Sequence, residues 1–321
     1  MENFIKKVIF TAHNELTMKI KAAVSTFYDK ILSPEAKHRL EKIVFVAAMI
    51  GFFIHLIAIG LVHFGQLDVN GSLKGLRNPI DAIYTPFSII LFYEIYCLIY
   101  YLPKSITIYI GKQFEIITLI TIRGIFDEMA NLTLSSDMDK MYDDIGFIYT
   151  MVTILLLFLL IYLFYRLNQR AIRIDNNTEG IPGNLPDKSV KYIYAKKLLA
   201  LIVGLIFIGL ATINLIDWIT NNHSLVEFVQ NSKPATKSFF SSFFMILILN
   251  DVLVLLFSFA ITDEFHKVMR NSGFIVSTTL IKLSFNVDGL ASHILVIMAV
   301  LFGTIVLALY KMYNKIELPA E

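Results

Sequence analysis

Five ionisable side chains stand in stretches that are otherwise apolar: Glu94, Glu115, Arg123, Asp251 and Lys282. A charged group at the centre of a membrane helix costs at least about 2.5–3.5 kcal/mol. It therefore has to face a partner, water, or a proton or cation that it binds. Glu115 and Arg123 are eight residues apart, two helical turns plus about 80°, so they share a broad face. Glu94 and Glu115 each fall about ten residues in from the end of adjacent antiparallel segments, which would bring them to similar depth. Two carboxylates close together in low dielectric share a proton, because one is held neutral by the other. The alternative chemistry is structural, each acid being bonded to a neighbouring Arg, Tyr or Thr. Tyr93, Tyr96, Tyr100, Tyr101 and Tyr109 supply hydroxyls for that role. In the second half Asp251 and Lys282 read the same way, but Phe274 and Ile275 stand where a counterpart of Glu115 would be.

The elements that must position these groups are apolar helices. The 321 residues are 56% hydrophobic and 17% charged, with mean hydropathy +0.66. A soluble domain has about 25% charged residues, and runs of roughly 17–25 apolar residues read as spanning helices. Eight such segments are expected at Ile43–Phe64, Tyr84–Leu102, Ser105–Phe126, Ile145–Tyr165, Leu198–Ile219, Ser238–Thr262, Asn271–Phe285 and Leu290–Tyr310. The third and seventh carry polar residues, and the seventh is short, so a tilted, re-entrant or shielded helix is expected there.

The fold class is thus an all-α integral membrane protein of about eight helices in two tandem four-helix units. The units are residues 43–165 and 198–312. Residues 1–42 form a cytoplasmic N-terminal segment, 166–197 a basic cytoplasmic linker and 313–321 a tail. With the N-terminus inside, 20 of the 28 Lys and Arg residues fall on the cytoplasmic side, or 21 with Lys112 near the inner end of the third segment, as the positive-inside rule demands. The acid-rich loop Asp127–Asp144 then lies outside. Gly180, Pro182, Gly183 and Pro186 mark irregular chain between the units. Within the first 32 residues, Ile5, Ile9, Ala12, Leu16 and Ile20 step by three or four, the apolar stripe of an amphipathic helix. No cleavable signal is read there. Ser33 and Pro34 fit an N-cap and first helical position. The repeat rests on spacing: Arg123 follows Glu94 by 29 residues, and Lys282 follows Asp251 by 31. The fourth and eighth segments end alike, at Tyr165-Arg166 and Tyr310-Lys311.

Other chemistry finds little footing. The single cysteine, Cys97, excludes a disulfide framework and a Cys-based zinc site. No HExxH, P-loop, GxSxG or CxxC is present. His55 reads as a packing histidine, and His266 with Asp263 and Glu264 as solvated charge in a cytoplasmic turn. No metal, cofactor or catalytic residue is expected. A net charge of +2 without a basic run excludes nucleic acid.

Each half resembles a voltage-sensor-like module, with an acid in its second helix and charge in its third. The fourth and eighth segments carry no gating Arg or Lys, so voltage sensing is rejected. The stretch from Phe92-Tyr93-Glu94-Ile95 through Tyr109-Ile110-Gly111 to Ile120-Thr121-Ile122-Arg123 is similar to the bacterial phosphate-starvation-inducible E (PsiE) family. That resemblance covers about 32 residues. It implies a four-helix membrane unit with an acid in the second helix and an arginine closing the third. It adds little about function.

Two functions are expected from the residues. The first is a channel or transporter for protons or small cations, passing Glu94 and Glu115. The second is a non-transporting sensor or scaffold that binds a partner protein. An enzyme is not expected. The partners are the lipid bilayer, protons or cations, and a second copy of the chain. The setting is a prokaryotic inner membrane with both termini cytoplasmic.

Overall fold

The computed structural model describes residues 26, 28–64, 81–131, 138–178, 187–221, 232–259 and 264–316. Among them are eight α-helices and no strand. They are α1 (Pro34–His63), α2 (Asp81–Tyr101), α3 (Ile106–Asn131), α4 (Met138–Thr178), α5 (Asp187–Asn221), α6 (Ser232–Phe259), α7 (Phe265–Ser284) and α8 (Leu290–Ile316). Each contains, or nearly contains, one of the eight apolar segments. The N-terminal amphipathic stripe and the Gly-Pro stretch 180–186 lie outside the described residues.

Local chemistry sets several ends. Ser33 caps α1 by accepting from the Ala36 N–H at 3.0 Å, with Pro34 at the first helical position. Gly289, at φ +68, supplies the left-handed residue that turns the chain into α8. Several helices run further than their apolar cores. α3 continues to Asn131, and α4 extends from Met138 to Thr178. Much of the expected outer loop and basic linker is therefore helical. Charged and amide side chains propagate a helix once an apolar core has nucleated it.

Among the described residues, three stretches are long and apolar enough to cross a bilayer: Tyr28–His63, Ile145–Asn168 and Leu290–Asn314. Thr85–Tyr101 and Met245–Leu256 are shorter apolar helices. The seventh segment is a regular helix of 20 residues, and its polarity has a physical cause. Its Asn271, Ser277, Thr278 and Ser284 are buried on one face with Phe274 and Ile281. The Ser277 hydroxyl donates to the Ala299 carbonyl of α8 at 2.7 Å.

Packing follows chain order in both halves. α1 lies on α2, α2 on α3 and α3 on α4; α5 lies on α6, α6 on α7 and α7 on α8. The halves join through α4 on α8, α3 on α7 and α2 on α5. At that seam Phe114 of α3, Phe164 of α4 and Phe274 of α7 form a chain of rings, with centroids 5.1 and 6.1 Å apart. Gly303 allows this closeness, and Gly273 a similar one between α7 and α8. A Cβ on Gly303 of α8 would stand 2.6 Å from Phe114 Cζ, and one on Gly273 of α7 would stand 2.7 Å from Val306 Cγ2.

Candidate functional site

Helix α3 carries polar groups on two faces, and each face meets one of the two candidate acids. The first face looks toward α2 and α4. Here Lys112 Nζ pairs with Glu115 Oε2, and the Tyr165 hydroxyl of α4 donates to Glu115 Oε1. Gly111 leaves the room for this, since a Cβ there would lie 2.9 Å from the Tyr165 hydroxyl oxygen. Glu94 of α2 is within electrostatic range of Lys112, Glu115 and Lys37. Its Oε2 is buried and accepts no hydrogen bond among the described residues. Glu94 and Glu115 thus share one neighbourhood, with Lys112 beside both. Both acids lie on the turn side of their helix midpoints, since α2 ends at Tyr101 and α3 begins at Ile106.

The second face of α3 meets the other half. Asp251 of α6 is 5% exposed. Gln113 Nε2 donates to both its carboxylate oxygens, at 3.1 and 3.4 Å. The Asn250 amide donates to the Tyr109 hydroxyl at 3.2 Å. Tyr109 and Thr278 are also within hydrogen-bonding reach of the carboxylate. Each of these groups is neutral. A void of about 20 Å³, room for a single water molecule, lies beside Asp251, Tyr109 and Asn271, with mostly aliphatic walls. Asp251 is therefore tied to α3 as well as to α7 of its own half.

The two expected bases stand elsewhere. Arg123 is buried two turns beyond Glu115, about 12 Å along α3 by helical rise. Lys282 is half-buried in the last turn of α7, where a cation complements the helix dipole. His55 of α1 reaches Thr85 of α2, 2.6 Å from its Nδ1. His266 departs from the solvated-charge reading. It is buried, stacks on Tyr310 and Tyr313, and meets Glu264 at 3.0 Å. The aromatic rings come from the far end of α8, which no local pattern announces.

Sequence reasoning missed Lys112, Gln113 and Tyr165. Lys112 is close enough to the α2–α3 turn to be grouped with the cytoplasmic lysines. Gln113 is neutral and escapes a search for charge. A third polar cluster was also missed: the Thr150 hydroxyl of α4 donates to Glu128 of α3 at 3.0 Å and lies 3.3 Å from His293 Nε2 of α8. His293 borders an open cleft of about 160 Å³ with Ser284, Asp288 and Ser292.

No protein-family model, curated protein or solved structure matches the chain.

Proposed function

We propose that this is a non-enzymatic, multi-pass membrane protein that moves protons or small cations past its buried carboxylates. The observation that carries the reading is Asp251, a buried acid held, among the described residues, by the neutral donors Gln113, Tyr109 and Thr278. An isolated carboxylate in low dielectric is expensive as an anion, and taking up a proton or small cation relieves that cost. Glu94, with one buried oxygen unbonded, presents the same chemistry in the first half. The membrane setting is supported by the exposed apolar face of α1, which includes Ile43, Phe45, Val46, Ile50, Phe53 and Ile54. Only 11% of its most apolar window is buried. In water such a patch would drive aggregation; in lipid it is the natural exterior. The proposed setting is a prokaryotic inner membrane with eight spans and both termini cytoplasmic. The shared packing order of α1–α4 and α5–α8 supports two tandem units.

A second reading, a non-transporting sensor or scaffold, is favoured by the Lys112–Glu115–Tyr165 network. That acid is already satisfied by a cation and a hydroxyl, as a purely structural group would be. Reconstituted liposomes carrying pH- and alkali-cation-sensitive dyes separate the readings. Under the transport reading wild-type protein passes protons or alkali cations. Asp251→Asn and Glu94→Gln keep their helical signal and lose most of that flux. A wild-type protein that passes neither at either sign of potential requires the scaffold reading.

A further inference from the structure

We infer that the α2–α3 turn holds a phosphate group, supplied by the headgroup of an anionic membrane lipid. Three ammonium groups from three parts of the chain converge there on two tyrosine rings. Tyr100 and Tyr101 meet edge to face, with centroids 5.0 Å apart. Lys37 of α1 lies 5.3 Å from the Tyr100 centroid and 4.9 Å from that of Tyr101. Lys104 of the turn lies 4.7 and 5.7 Å from the same two centroids. Lys112 of α3 lies 5.5 Å from Tyr101.

Cation–π contacts offset part of the cost of gathering like charges, but they do not neutralise them. Glu115 balances Lys112. Glu94 acts on Lys37 and Lys112 from the bundle side, and Asp29 pairs with Lys197 at 3.4 Å. Lys37 donates to the Tyr101 hydroxyl at 2.8 Å, which uses one of its three donors. Lys196, 5% exposed, donates to the Lys104 carbonyl at 3.0 Å. It anchors the turn and adds positive charge beneath it. Lys37 and Lys104 are half-buried, so their ammonium groups are held in place before a ligand arrives.

A tetrahedral phosphate can bridge two ammonium groups, and lysine binds it as a point charge. The turn lies at one end of α2 and α3, beside the apolar face of α1. This is the depth of lipid headgroups if the bundle spans a bilayer, so the source of the phosphate rests on that reading. An anionic leaflet also attracts basic residues at its surface.

The test uses the purified full-length chain in neutral detergent. Its thermal midpoint is measured with added phosphatidylglycerol, phosphatidylcholine or inorganic phosphate. Phosphatidylglycerol should raise the midpoint by roughly 3–5 °C more than phosphatidylcholine. Lys37→Gln with Lys104→Gln should lose that gain, whereas Lys37→Arg with Lys104→Arg, and Lys267→Gln, whose native ammonium pairs with Glu264, should keep it. An equal response to both lipids, or a glutamine double variant that retains the gain, overturns the site. If the double variant does not fold, Lys104→Gln alone must lose part of the gain for the site to stand. A rise with inorganic phosphate equal to that with phosphatidylglycerol overturns the lipid source and leaves a phosphate site. Alkaline extraction of membranes tests the underlying reading separately. A chain released into the aqueous phase overturns the membrane assignment; an integral chain without a lipid preference overturns this inference alone.

Discussion

At the scale of single residues, the clearest dependence is that of Glu115 on Gly111. A methyl group at Gly111 would meet the Tyr165 hydroxyl oxygen at 2.9 Å and its Cζ at 3.0 Å. Tyr165 would have to tilt away and release Glu115. Gly111→Ala should therefore destabilise the protein by about 1–3 kcal/mol, the usual cost of overpacking, seen as a lower thermal midpoint. Tyr165→Phe, which keeps the ring and removes only the donor, should cost about 1.5–3 kcal/mol, as for a bond to a charged group. Wild-type stability in both variants would contradict the network. The acids themselves were legible, since charge in an apolar run is conspicuous. Their partners were not. Tyr165 is 50 residues from Glu115, and Gln113 is 138 from Asp251. Only tertiary packing brings these pairs together.

At the scale of elements, the helix–helix contacts divide the glycines. Gly273 and Gly303 sit where α7 meets α8 and where α8 meets α3, and a methyl there would clash with half-buried Val306 and buried Phe114 respectively. Gly273→Ala and Gly303→Ala should each lower stability by about 1–3 kcal/mol. Gly60 of α1 has nothing within 4 Å, so Gly60→Ala should be neutral or stabilise by up to about 1 kcal/mol. Thermal midpoints of the three variants check this; equal losses in all three would contradict the close approach.

The start of α7 carries a pH dependence. Lys267 donates to Glu264 at 2.8 Å, and with His266 it holds that carboxyl below its ordinary value of 4.5. A depressed acid contributes stability that is present above its unfolded value and lost as pH falls through the folded one. Glu264 is exposed, so the effect is small and screened by salt. The difference in thermal midpoint between wild type and Glu264→Gln should shrink as pH falls below about 4.5. A difference that grows with acid would contradict the pairing. Helix positions were legible from apolar runs, and Ser33-Pro34 marked the start of α1. The ends were harder to read, because α3 and α4 continue into charged sequence where hydropathy falls but the helix persists. The polar character of α7 misled for the same reason: hydropathy counts a buried serine as polar without knowing that it faces another helix.

At the scale of the whole molecule, one orientation has to satisfy every part of the account. Under the proposed eight-span reading, the α2–α3 turn with its lysines, the start of α1, the end of α4 and the end of α8 share one side of the membrane. The Glu128–Thr150–His293 cluster must face the other. This is the arrangement expected from the 20 of 28 basic residues placed on the cytoplasmic side, or 21 with Lys112. Under that proposal apolar helix faces would lie in lipid and the acids would face the bundle, as the energetics of a bilayer require. The most direct measurement is cysteine accessibility in intact cells, in a Cys97→Ser background that removes the native thiol. Single cysteines at Asn177, in the last turn of α4, and at Asp288, between α7 and α8, are challenged with a membrane-impermeant thiol reagent. The account predicts that the cysteine at Asp288 is labelled from outside, and that the one at Asn177 is labelled only after the cells are opened. Labelling of the cysteine at Asn177 in intact cells, or of both positions alike, would contradict it.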